Sequence, residues 1–302
     1  MTLTTSPHTA HAGLIVTPQG PRQLDALEPE VLKQWLMTHG YLVLRGFEHS
    51  IDAFSRLVRQ SSSRISLDPA RSFDGDTAQK VDAGLDAVGL HCENGNSPFW
   101  PDLCWFYCQV APARGSQTTL CDGKAVYRHL APEHRAAFSE RDIQYARRVE
   151  AIKWKTYALH ALAQTEGAPT HIESVVLQDL VSLTAGNAGA QIELNEDDSI
   201  TYRFRTPAIR HSQLSDEAGP SFANSIFGPS NHYEAPLITF ADGEPLDPAL
   251  LQAVAAVCER FTVDVGWQHG DVVLIDNTRV MHGRRAIDDP ARTIFNALSY
   301  AH

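Results

Sequence analysis

Residues 91–100 read HCENGNSPFW, and residues 276–293, near the end of the 302-residue chain, read DNTRVMHGRRAIDDPART. The first stretch holds His91 and Glu93; the second holds His282 and Arg292. On a strand, side chains two apart share a face, so His91 and Glu93 can reach one metal ion while Cys92 points away. His282 would complete a triad from a distant strand. Two imidazoles and one carboxylate on one face of an octahedral ion leave three positions open, the donor set of non-haem Fe(II) centres that bind a cosubstrate and O2. Arg292 adds a planar, permanently charged fork suited to gripping a carboxylate.

A histidine two residues from a glutamate arises easily by chance; four elements in a fixed order do not. Between the two stretches lies GSQTTLCDG, residues 115–123, with Thr118 inside it. On these residues the chain resembles the TauD/TfdA-like (taurine dioxygenase, clavaminate synthase-like) family of Fe(II)/2-oxoglutarate-dependent oxygenases. Members carry H-x-D/E, then a threonine, then a histidine in a D-N-x-x-x-x-H-G-R-like segment, then an arginine after a short gap. EPEVLKQWLMTHG running into YLVLRGF, residues 28–47, is similar to the way members begin, so the resemblance spans nearly the whole chain. WQHGDVVLIDNTRVMHGRR, residues 267–285, is most similar to syringomycin-type dioxygenases of natural-product pathways.

The resemblance implies a double-stranded β-helix (jelly-roll) core with Fe(II) held by His91, Glu93 and His282. It also implies 2-oxoglutarate and O2 as cosubstrates, with Arg292 and Thr118 on the distal carboxylate of the keto acid and Thr119 competing for the second role. Related halogenases carry a small residue where Glu93 stands, so hydroxylation or another C–H oxidation is expected rather than chlorination. The expected substrate is a small amino-acid-like or natural-product molecule, free or tethered to a carrier protein, and a homo-oligomer is possible. Two readings of other classes stay open: a non-catalytic, cupin-like metal-binding β-sandwich, and a zinc hydrolase, since two histidines and a glutamate also hold zinc with an open site.

Acidic residues outnumber Lys and Arg by 36 to 25, giving a net charge of −11, which argues against nucleic acid or an anionic membrane as the main partner. The start, MTLTTSPHTAHAG, lacks the basic and apolar regions of a secretory signal, and no apolar run reaches about 18 residues, so a cytoplasmic protein is expected. Five cysteines, an odd number, fit reduced thiols better than a disulfide framework. Cys104 and Cys108 share one strand face and read as small core residues.

The pattern along the chain predicts a mainly β protein with flanking α-helices. Residues 1–13 are expected to be a flexible N-terminus and 14–302 a single domain. Ile51, Phe54, Leu57 and Val58 have helical spacing, and residues 124–138 read as two helices with Pro132 starting the second. LDPALLQAVAAVCERF, residues 246–261, is the clearest helix, with Asp247 as cap, Pro248 in the first turn and Leu251, Val254, Ala255 and Cys258 along one stripe. Residues 61–84, rich in Ser, Asp and Gly, read as a long loop of the kind that often serves as a lid. Residues 102–110, 116–123, 143–149, 199–206, 236–240, 271–276 and 292–300 have strand character, whereas 185–198 and 208–222 read as irregular.

Asn94, Asn96, Phe99 and Trp100 follow the ligands and are candidates for a substrate wall. Arg203 and Arg210, with Arg205 nearby, are candidates for gripping a substrate carboxylate, against the alternative of a salt-bridged strand face. Arg284 and Arg285 stand too close to His282 to reach the far end of the keto acid. Of the 14 histidines, His269 is the nearest rival to His282, while His129, His134, His160, His171, His211 and His232 read as solvated or structural.

Overall fold

A computed structural model describes residues 2–66, 73–74, 77–81, 84–163, 165, 167–215, 219–228 and 235–302. Its centre is the strand Leu103–Val110, which is apolar at nearly every position and is buried on both faces. Leu103, Trp105 and Tyr107 point to one side, where they meet Leu32 and Leu36 of helix Pro29–His39 and Phe54, Leu57 and Val58 of helix Ile51–Gln60. Cys104, Phe106 and Cys108 point to the other side, toward a second sheet. The period of two thus gives one strand two cores.

This strand sits in a nine-stranded sheet between Val272–Asp276 and Thr293–Tyr300, both antiparallel to it. The second sheet has four antiparallel strands in the order Thr262–Val265, Thr118–Asp122, Val280–Arg284 and Val88–His91. Between the two sheets Phe106, Val273 and Ile275 pack on Leu120, Val265 and Val280. The outer face of the second sheet, with Cys121 and Met281, is covered by Val254 and Cys258 of helix Pro248–Phe261, which Asp247 caps by accepting from the Ala249 amide. All five cysteines are buried thiols.

A third sheet, Ala190–Leu194, Ile200–Thr206, Ile143–Val149 and Leu237–Phe240, stands beyond the ligand end. Helices Ala151–Ala161 and Leu177–Leu183, which the apolar pattern did not reveal, cover part of it through Trp154, Ala158 and Leu180 on Ile200. Seven α-helices occur among the described residues, and none is long and apolar enough to cross a membrane.

Three sequence expectations are corrected. The expected flexible N-terminus forms a strand, Leu3–Pro7, paired antiparallel with Leu14–Pro18; being an exposed edge strand, it carries no apolar signal. Residues 190–194 and 209–211, expected to be irregular, are also strands, the second pairing with Pro220–Phe222. Their side chains are mostly half-buried or exposed, so they form through backbone pairing with stronger neighbours. Residues 61–84 hold short strands at Arg64–Ser66, Phe73–Asp74 and Ala78–Lys80; the parts of the expected lid at 67–72, 75–76 and 82–83 lie outside the described residues.

Candidate metal and cosubstrate site

Val88–His91 and Val280–Arg284 are hydrogen-bonded neighbours, and their register sets His91 directly opposite His282. The close pairing requires Gly283, where an added Cβ would stand 2.6 Å from the Val88 carbonyl oxygen. The two imidazoles lie 4.4 Å apart between ring centroids, and Phe106 backs His282 edge-on at 5.2 Å. Glu93 does not share the strand with His91, as its spacing suggested. The strand ends at His91 and Glu93 lies in the turn beyond, where Asn94 takes φ 54°, a left-handed conformation that asparagine tolerates. Cys92 does point away, into the core with Phe222 and Met281.

The turn is fixed by Asn277, a residue the sequence reading did not single out. The Glu93 amide donates to Asn277 Oδ1 at 2.8 Å, and Asn277 Nδ2 donates to the carbonyls of Glu93 at 3.0 Å and Pro101 at 2.8 Å. Trp100 Nε1 donates to the Asn277 carbonyl at 3.1 Å. One fully buried amide therefore staples the first ligand segment to the strand connection that leads to His282. The result places Glu93 Oε1 3.5 Å from His282 Nε2 and 4.0 Å from His91 Nε2. His91 Nδ1 stands 2.8 Å from the Gly89 carbonyl; donating its proton there leaves Nε2 free to ligate. All three donor atoms fall within 4.8 Å of one another, and the set of two nitrogens and one carboxylate oxygen suits Fe(II) with open positions.

A basic pocket adjoins these donors. The Arg292 guanidinium donates to the Ser116 carbonyl at 3.1 Å, while its second terminal nitrogen is buried with no partner among the described residues. Burial, with the charge of Arg284 adding to it, lowers the Arg292 pKa to about 10, so the group remains cationic at neutral pH. Thr118 Oγ accepts from Trp267 Nε1 at 3.2 Å and lines the same cavity, whereas the Thr119 hydroxyl is turned toward Gly283. Arg284 donates to the carbonyls of Gly84 and Asp86, and Arg285 lies on the surface against Asp264 and Glu259.

A profile of the family described as "Taurine catabolism dioxygenase TauD, TfdA family" matches residues 5–298, nearly the whole chain. The chain belongs to the TauD/TfdA dioxygenase family. A clavaminate synthase-like protein of Arabidopsis thaliana is 26% identical over 226 residues, covering 68% of this chain and 63% of that protein. The dapdiamide synthesis protein DdaC of Enterobacter agglomerans is 20% identical over 303 residues, covering 92% of this chain and 88% of the relative. Among solved structures, PvcB of Pseudomonas aeruginosa superposes with a TM-score of 0.64 at 14% identity, covering 99% of this chain and 91% of its own. PvcB is described as an Fe, alpha-ketoglutarate dependent oxygenase from an isonitrile synthetic pathway.

In this member of the TauD/TfdA family the ligands and Arg292 open onto a cavity of about 470 Å³. Asn94, Asn96 and Phe99 line it, with Phe99 near Tyr157. Trp100, Arg203 and Arg210 do not. Trp100 is buried behind the ligand turn with the Arg210 guanidinium stacked on its ring at 3.9 Å, and Arg203 pairs with Glu193 at 2.8 Å on the opposite strand face. The arginine of this region that lines the cavity is Arg147, which stands opposite Tyr202 in register. Arg147, Trp154, Tyr157 and Tyr202 were missed because they come from segments without a motif. His269 packs on His49, away from the ligands, and His129, His160, His171 and His211 are exposed while His134 is half-buried. His232 lies outside the described residues.

Proposed function

We propose that this protein is an Fe(II)- and 2-oxoglutarate-dependent oxygenase that hydroxylates or otherwise oxidises a C–H bond of a small amino-acid-like or natural-product molecule. Its sheets would form the double-stranded β-helix core of that class. The observation that carries the reading is the pairing of two features in one cavity: three convergent metal donors and a buried arginine with an unpartnered nitrogen. A zinc hydrolase or a passive metal-binding sandwich gives that arginine no task, and a buried cation is costly unless paired.

His91, Glu93 and His282 would hold the iron, which with bound 2-oxoglutarate and O2 supplies the oxidant and yields succinate and CO2. Arg292 orients the keto acid through its distal carboxylate, with the Thr118 hydroxyl beside it. Trp267 fixes that hydroxyl, and the aromatic wall of Phe99, Trp154 and Tyr157 keeps water from the reacting carbon. Glu93 fills the place that a halide would need, which favours oxidation over halogenation.

An amino-acid-like substrate, free or carrier-bound, is supported by the pathway roles in the names of DdaC and PvcB and by a cavity of small-molecule size. The buried thiols support a reducing, cytoplasmic setting. Anaerobic titration of Fe(II)-loaded protein with 2-oxoglutarate tests the reading. Wild type should develop the weak visible charge-transfer band of the chelate, and His282→Ala should not. A folded, iron-loaded wild type without the band would overturn it.

A further inference from the structure

The arginines of the third sheet divide between its two faces. Arg148 pairs with Asp197, Arg203 with Glu193 at 2.8 Å and Arg205 with Asp142 at 2.7 Å, all on the outer face. Arg147 turns the other way, in line with Ile143, Tyr145 and Val149 on strand Ile143–Val149. Ile143 and Tyr145 are fully buried, so this face is built as core up to Arg147, where it opens onto the cavity beside Tyr202. Burial pushes the Tyr202 phenol pKa up, so that ring is a neutral neighbour of the guanidinium and not a counter-charge. Placing a cation on an otherwise apolar inward face costs desolvation, which a bound anion offsets.

The charge of the cavity points the same way. In a chain of net charge −11, five basic side chains line it, Lys80, Arg147, Lys153, Arg284 and Arg292, against one carboxylate among the described residues, Glu93. On the oxygenase reading the charges of iron, Glu93, the dianionic keto acid and Arg292 cancel. Arg284 donates to the carbonyls of Gly84 and Asp86, Lys153 pairs with Glu150 at 3.3 Å, and Lys80 is exposed. Arg147 is the inward cation that a second anion meets on the wall away from the ligands. A neutral amide there would leave the excess charge in place, and an ammonium would be repelled.

We infer that Arg147 is a specificity-determining residue: it receives a carboxylate of the substrate, at the end held away from the metal, in the two parallel hydrogen bonds of a guanidinium fork. The inference rests on the oxygenase reading and names the substrate class, an acid whose free carboxylate is kept apart from the carbon to be oxidised, rather than an amine or a neutral amide.

The test uses hexanoate, hexanamide and hexylamine, matched in chain and different in charge, as probes of the full chain loaded with Co(II) and saturating 2-oxoglutarate. Binding is followed by ligand-observed NMR in wild type, Arg147→Gln, Arg147→Lys and, as a surface control, Arg148→Gln. Wild type and Arg148→Gln should bind hexanoate at least about tenfold more tightly than the other two probes, because the acid alone satisfies the fork. Arg147→Gln should lose that preference and Arg147→Lys should keep part of it, while hexanamide binding and the 2-oxoglutarate midpoint stay within about twofold in both. A loss confined to the acid is what a merely structural arginine would not produce. Equal or absent binding of the three probes to wild type would overturn the inference without any variant, and so would an acid preference that survives Arg147→Gln. A weakened 2-oxoglutarate titration in Arg147→Gln would also overturn it, by making Arg147 a cosubstrate contact. Failure of wild type to bind 2-oxoglutarate at all would instead sink the oxygenase reading.

Discussion

The two sides of the cavity are built on different terms. The ligand side is a register: His91 opposite His282, Thr118 opposite Arg284, each fixed by backbone pairing within one sheet and stapled by Asn277. The far side is a wall of side chains from strands Ile143–Val149 and Ile200–Thr206 and helices Ala151–Ala161 and Leu177–Leu183, packed around Trp154 and Leu180. Backbone register tolerates almost no change, because slipping one residue turns every side chain to the other face. A side-chain wall can be recomposed without touching the chemistry. The contrast separates the candidate metal site from the surface that would select a substrate.

If the ligand side is as rigid as its register implies, the largest effect comes from its donors. Glu93→Ala should abolish both the 2-oxoglutarate charge-transfer band and succinate formation, and Fe(II) titration should show loss of the tight site. Retention of the band would break the comparison at its strongest point.

Next comes Arg292→Ala, which on the proposed function removes a buried cation from the keto-acid carboxylate and should weaken 2-oxoglutarate by about 2–5 kcal/mol, read as a shift of the chelate midpoint. Burial holds the Arg292 pKa at about 10. Lowered as it is, that value keeps the guanidinium charged below pH 9, so the wild-type midpoint should be flat from pH 6.5 to 9 and rise only as pH passes about 10. A midpoint that drifts between pH 7 and 8 would assign the keto acid to another group.

Asn277→Ala should act on both stability and chemistry. It strands the Glu93 amide and two carbonyls in a buried place, at about 1–3 kcal/mol for each group left unpaired, and it should weaken Fe(II) by about 10–100-fold, as loss of an orienting partner does. Denaturant midpoints and iron titration read the two effects separately. At the bottom of the scale, Arg203→Ala breaks a solvent-exposed pair with Glu193 on the far sheet and should change stability by less than about 1 kcal/mol. Its 2-oxoglutarate turnover should stay within twofold; a larger loss would show that the far wall reaches the chemistry.

The candidate donors His91, Glu93 and His282 and the candidate keto-acid contact Arg292 were legible as a set, because four elements in one order resemble a family's pattern where H-x-E alone arises easily by chance. What the pattern misread lies at edges and walls. Leu3–Pro7 and Ala190–Leu194 are strands whose side chains stay largely in solvent, so period-two alternation has no apolar face to show. Glu93 was expected on the strand of His91 and lies in a turn, since nothing in H-C-E announces that the ladder stops at His91. Arg203 and Arg210 were candidates on charge alone, and the strand's alternation turned Tyr202 inward in place of Arg203.

The sequence by itself determined the candidate donor set, the candidate keto-acid arginine, the core strand at 102–110 and the helix that Asp247 caps, because each follows from residue type, motif order or local period. Only the tertiary structure decided that His91 faces His282, that Asn277 staples the ligand turn, and that Arg147, Tyr202 and Asn296 meet in one cavity. These are contacts between segments as much as about 190 residues apart. Local propensity is blind to such contacts, because strand register and the packing of sheets against one another set them.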